Sequence, residues 1–207
     1  MRDELEYLLD ELKNADFTRR EVAEKRLLQL PDRQRAVAPL IEYLKRDNWV
    51  VRNTAASLLG RLGDKSAITP LIESLHDEFD FVRAAAAWAL GGLEATEAVV
   101  PLITALEDES DAMRVGAAWS LGVIGDSRAK EALQRAIKDE NDISARELMA
   151  VALAQFGDFE YAALLINQLQ RQLFDKEKER IAVALERWGT PEALEAVRQW
   201  QASRSNT

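Results

Sequence analysis

Five arginines recur at nearly fixed spacing in this 207-residue chain: Arg20, Arg52, Arg83, Arg114 and Arg146. A guanidinium presents a planar fork of donors, so such a ladder would grip carboxylates through paired hydrogen bonds. Two indoles, Trp88 and Trp119, lie 31 residues apart in "VRAAAAWALGGL" and "MRVGAAWSLGVI", stretches otherwise made of small residues. An indole there would either fill a groove between helices or anchor a partner. His76 is the single histidine, so no second imidazole exists to share a metal. Glu107, Asp108, Glu109 and Asp111 form an acidic turn. A calcium loop counted from Asp108 would need glycine and glutamate where Met113 and Trp119 stand. Ser120 lacks a nucleophile-elbow pattern, and no GxxxxGK phosphate loop occurs. The chemistry written here is that of recognition.

The elements that carry these residues form a repeat. Pro39, Pro70 and Pro101 share the 31-residue spacing of the arginines, as do Leu59, Leu90 and Leu121. The period becomes 32 for Leu121, Leu153 and Leu185 and for Gly125, Gly157 and Gly189. Each copy reads as two helices. In the first, Ile68, Leu71, Ile72 and Leu75 share one face, and the proline is tolerated if it lies in the first turn. Asp16, Asn48, Ser110 and Asp142 are candidate N-caps of second helices, with Phe79 the exception. Gly-Asp pairs at 63–64, 125–126 and 157–158 end one copy and cap the next.

Such helix pairs bury both apolar faces only by stacking. The expected fold is all-α: a right-handed α-solenoid, or α-α superhelix, of about six helix pairs and a C-terminal capping helix. The copies fall at about 1–34, 35–65, 66–96, 97–127, 128–159 and 160–190, with the cap at 191–201 and a loose tail at 202–207. They form one domain, 1–201. The end copies carry Arg19 and Arg26, and Glu177 and Arg180, at apolar positions.

Composition narrows the function classes. With 36 acids against 27 bases the net charge is −9, which disfavours a nucleic-acid partner. The chain has no cysteine, so disulfides, thiolate metal sites and cysteine nucleophiles are excluded. No apolar run approaches a membrane span, and the charged start does not read as a signal peptide. Cytoplasmic location is the expectation.

The pattern formed by Val51-Arg52, Val82-Arg83, Arg114, Leu59-Gly60, Leu90-Gly91, Leu121-Gly122, the Gly-Asp turns and the Pro-Leu-Ile starts resembles the short HEAT-like repeats of the phycobilisome-lyase (E–Z type) class. The resemblance spans nearly the whole chain and is strongest over 35–127. It implies a protein-binding surface on the layer of second helices, in members that serve as scaffolds, as subunits of bilin lyases or as phycobilisome assembly and turnover factors. It also implies that Arg52, Arg83, Arg114 and Arg146 pair internally with turn aspartates, for which Asp64, Asp126 and Asp158 are the candidates.

On a helical wheel Trp88 falls well off the stripe of Val82, Ala86, Ala89 and Leu90. The neighbouring helices place Val115, Trp119, Val123 and Val151 around it, and Asn53, Arg61, Glu147 and Gln155 outside. An apolar, aromatic centre with a polar rim is typical of a binding surface. The expected function is therefore a non-catalytic scaffold that docks a protein on this layer, anchored by Trp88 and Trp119 and needing no cofactor. The alternative is a bilin lyase subunit, in which the patch stacks on a tetrapyrrole and arginines hold its propionates. A second HEAT-repeat subunit is a further expected partner under the resemblance.

Overall fold

The computed structural model describes residues 3–14, 16–169 and 175–204. They form thirteen α-helices and no strand among the described residues. Six pairs run in order: α1 (Glu4–Glu11) and α2 (Phe17–Gln29), α3 (Val37–Tyr43) and α4 (Trp49–Leu62), α5 (Ile68–Ser74) and α6 (Asp80–Gly92). Then come α7 (Val99–Ala105) and α8 (Asp111–Ile124), α9 (Lys130–Asp139) and α10 (Ile143–Gln155), α11 (Ala162–Leu169) and α12 (Asp175–Trp188). The last helix, α13, covers Pro191–Arg204.

Local chemistry sets the helix ends. Pro39, Pro70 and Pro101 are third in α3, α5 and α7, in the first turn, where a missing N–H costs nothing. A short 3₁₀ turn precedes each of them. The side chains of Asp16, Asn48 and Asp142 accept backbone amides at the starts of α2, α4 and α10. Ser110 departs from the expected cap. It occupies the N-cap of α8 without bonding a helix amide, because its hydroxyl faces Asp80 at 3.4 Å. Gly63, Gly125, Gly157 and Gly189 hold φ near +70° and end their helices. Glu94 stands in that register with φ +52°.

Each first helix packs on its own second helix, and α4, α6, α8 and α10 pack side by side as a continuous layer. Leu59, Leu90, Leu121 and Leu153 lie fully buried between the layers. Glycine brings the second helices close. A Cβ on Gly60 would stand 2.6 Å from the Ala89 Cα, and one on Gly91 would stand 2.8 Å from the Ser120 Cα. The same place holds Leu28 in α2 and Ala154 in α10. There the packing thins, between α2 and α4 and between α10 and α12.

At the N-terminal end, Arg19 pairs with Glu11 at 2.6 Å and Arg26 pairs with Glu4, closing α1 onto α2 with exposed ion pairs. The side chains of Glu177 and Arg180 lie outside the described residues. The cap was expected to stop at 201. Instead, α13 continues to Arg204, so 202–204 are helical, while 205–207 are outside the description.

Candidate functional site

The arginine ladder runs along the turns between first and second helices. Arg52 Nε and Nη2 donate to both Asp77 carboxylate oxygens, at 2.7 and 2.9 Å. Arg83 does the same to Asp108 at 3.0 and 2.9 Å, and Arg114 to Glu140 at 2.6 and 3.0 Å. The remaining nitrogen, Nη1, donates to the carbonyls of Arg46 and Asp47, Asp77 and Glu78, or Asp108 and Glu109. Each guanidinium therefore closes the preceding turn of its own copy and holds the turn acid of the next.

Asp64, Asp126 and Asp158 are not the partners, contrary to the sequence expectation. Asp64 and Asp126 sit at the opposite ends of the helix pairs and cap the 3₁₀ turns through the amides of Ser66 and Arg128. Arg128 also clamps Asp126 and holds its carboxyl at about 2. Asp158 accepts from Gln134 and from the Glu160 amide. The actual partners recur at the same period, at 77, 108 and 140, and that spacing was visible in the sequence. The acidic turn around Asp108 thus belongs to the ladder. Arg146 continues the series on α10, with its Nε–H buried and donating to no hydrogen-bond partner among the described residues.

Burial alone would raise the carboxyls of Asp77 and Asp108. The facing guanidinium and a turn amide, from Phe79 or Ser110, outweigh it and hold both below the usual range. For Glu140 the Arg114 hydrogen bond is the largest influence and acts in the same direction.

The indoles sit on the outer face of the second-helix layer. Their ring centroids are 4.6 Å apart, with the planes tilted by 40°. Trp119 reaches back over α6, 2.6 Å from where a Gly91 Cβ would be, and Trp88 leans towards Gly116 of α8. Gly91 is buried beneath Trp119 and Ser120, so it lies inside the helix contact instead of on the open patch. Both indoles are half-buried. They fill the inter-helix groove and remain partly exposed.

Beside them, between α4 and α6, runs an open groove of about 510 Å³. Asn53, Ser57 and Arg61 line it from α4, Phe81, Ala85 and Trp88 from α6, and Trp119 from α8. The Asn53 amide donates to the Phe81 carbonyl at 2.8 Å, which ties α4 to α6 beside the groove. Val115, Val123, Val151 and Gln155 are half-buried on α8 and α10 and do not line this groove. Glu147 was expected on the polar rim, but it is buried, with 7% exposure.

Sequence reasoning missed the other aromatics. Trp49 stacks on Phe79 and Phe81, with centroids at 5.6 and 5.8 Å. Phe81 carries this cluster to the groove and is 58% exposed. Trp49 and Phe81 do not share a repeat position, so comparison of copies could not pair them. His76 is exposed, and Ser120 is buried with its hydroxyl donated to the Ala87 carbonyl at 2.7 Å. Among the described residues no group of three His, Asp or Glu could hold a metal, and no helix is long and apolar enough to cross a membrane.

Comparison with known proteins follows the same outline. No curated protein matches the chain. Among solved structures, the complex of CpcE and CpcF of phycocyanin lyase from Nostoc sp. PCC7120 is similar, with 19% identity over 98% of this chain and 95% of that one, at a TM-score of 0.69. A designed armadillo repeat protein in complex with the peptide (KR)4 is similar at 19% identity, 89% and 99% coverage and a TM-score of 0.54. These likenesses establish an α-solenoid. The family model for HEAT repeats matches residues 5–91 and 71–154, most of the length, and the chain belongs to that family.

Proposed function

We propose that this protein is a non-catalytic scaffold that docks a protein segment on its second-helix layer. The observation that carries this reading is the groove beside Trp88 and Trp119, walled by aromatic rings and floored by small side chains. Rings held in place by tight packing present apolar area at little entropic cost, which is why tryptophan dominates binding hot spots. The ladder and the close-packed glycines supply the rigid backing. Both similar structures are complexes with another protein or a peptide, in keeping with a docking role. The acidic charge supports a partner other than nucleic acid, and the cysteine-free sequence supports a reducing cytoplasm.

The test compares binding of a recovered partner to the wild-type chain, Trp88→Ala and Trp119→Ala, with folding checked by circular dichroism. Loss of about 2 kcal/mol, near thirtyfold in Kd, is expected for Trp88→Ala. Unchanged affinity in a folded variant overturns the reading.

The second reading, a phycobiliprotein bilin lyase subunit acting alone or with another HEAT-repeat subunit, draws on the same aromatic wall. A flat tetrapyrrole could stack there, with Arg61 taking a propionate. Bilin added to the pure protein would then change its visible absorbance and remain bound through gel filtration. No shift and no retention would remove that reading.

A further inference from the structure

We infer that the segment accepted by the α4–α6 groove carries a large apolar side chain close to a carboxylate, the first against Trp88 and the second on Arg61. This rests on the docking reading above and names the chemistry of its partner.

The apolar half follows from a missing ring. Ser57 occupies on α4 the place that Trp88 and Trp119 occupy on α6 and α8. Trp119 reaches towards α6, but Trp88 turns the other way, onto Gly116. The surface formed by Gly60, Ala85 and Gly92 is left as the floor of the groove. A ring or branched side chain from outside fits the space that a third indole would have filled.

The acidic half follows from charge. Arg61 is the single charged residue of the lining, it is exposed, and it makes no hydrogen bond or ion pair among the described residues. The guanidiniums of Arg52, Arg83 and Arg114 are all committed to the ladder. The Asn53 amide is committed to the Phe81 carbonyl. Glu24 on α2 is the acid that feels Arg61, yet no hydrogen bond joins them. Burial lifts the Glu24 carboxyl above its ordinary value, against the pull of Arg61 and Arg20. A free guanidinium at the edge of an apolar groove favours a carboxylate and repels lysine or arginine. Glu24 is the acid near Arg61; the rest of the net charge of −9 opposes an acidic segment at longer range, where physiological salt screens it beyond about 8 Å.

Size sets the reach. Asn53 and Arg61 are eight residues apart on one helix, about 12 Å at a rise of about 1.5 Å per residue. An extended segment covers that span in about four residues.

The probe is a set of fluorescein-labelled peptides in a neutral Gly-Ser frame. Each carries one phenylalanine followed within four positions by two glutamates, two glutamines or two lysines. Fluorescence anisotropy against the full chain in physiological salt should rank Glu above Gln above Lys, with at least tenfold between the extremes. Arg61→Glu alters an exposed residue and should reverse that order. Trp88→Ala should weaken every peptide. A Lys peptide that binds as well as the Glu peptide, an order unchanged by Arg61→Glu, or no binding of any peptide at millimolar concentration would overturn the inference. If charge order fails while Trp88→Ala still abolishes binding, the docking reading stands and only the partner's chemistry falls. If binding survives Trp88→Ala, both fall.

Discussion

Glu94 shows how little freedom single positions keep in this fold. It occupies the helix-ending place held by Gly63, Gly125, Gly157 and Gly189, and it adopts φ +52°. A side chain in the left-handed region costs about 1–2 kcal/mol, whereas glycine adopts it freely at some cost in unfolded-state entropy. Glu94→Gly should therefore stabilise the protein by about 0.5–1 kcal/mol, raising Tm by a few degrees in a calorimetric scan. A second set of glycines is constrained by contact. Gly60→Ala and Gly91→Ala would drive a Cβ into the facing backbone, whereas the Gly122 position leaves 3.0 Å to the Ala152 Cβ. Urea unfolding should show losses of about 1–3 kcal/mol for the first two and less for Gly122→Ala.

At the scale of elements, the arginine ladder ties each helix turn to the next. Arg83 and Asp108 retain 11% and 17% side-chain exposure, so removing one strands the other in a poorly hydrated turn. Arg83→Met should cost about 2–3 kcal/mol by denaturant titration. The depressed carboxyls add a pH dependence of definite sign. Asp77, Asp108 and Glu140 titrate lower in the folded chain than in the unfolded one, so their contribution is present in full above the ordinary carboxylate range. It disappears as pH falls below about 4 through the folded values. Arg83→Met releases Asp108, so its stability should fall less steeply with acid than that of the wild type. Equal slopes would mean that the pair contributes nothing measurable.

Across the described residues, packing between second helices is uneven. The layer α4–α6–α8–α10 is held by glycine contacts and ladder rungs, while α2 and α12 join it through the bulkier Leu28 and Ala154 positions. In a stacked repeat, units open from the weaker interfaces. Hydrogen exchange read by mass spectrometry should therefore protect α6 and α8 longest, with α12 and α13 exchanging first. Uniform exchange along the chain would contradict this. The groove proposed for docking lies on this tightly packed layer.

The sequence alone determined the repeat, its period, the two helices per copy and the helix ends. Periodic leucines, first-turn prolines and left-handed glycines act within one or two turns of chain, so their consequences can be read locally. It also singled out Trp88, Trp119, Asn53 and Arg61. Only the tertiary structure decided what faces what. The ladder acids proved to be Asp77, Asp108 and Glu140 in place of Asp64, Asp126 and Asp158, because the stacking offset brings together turns at the same end of adjacent copies. Glu147 went inside, and the Trp49–Phe79–Phe81 stack assembled from unmatched repeat positions. The groove itself depends on Trp88 leaning towards α8, a rotamer choice made by packing across three helices, which no spacing along one chain encodes.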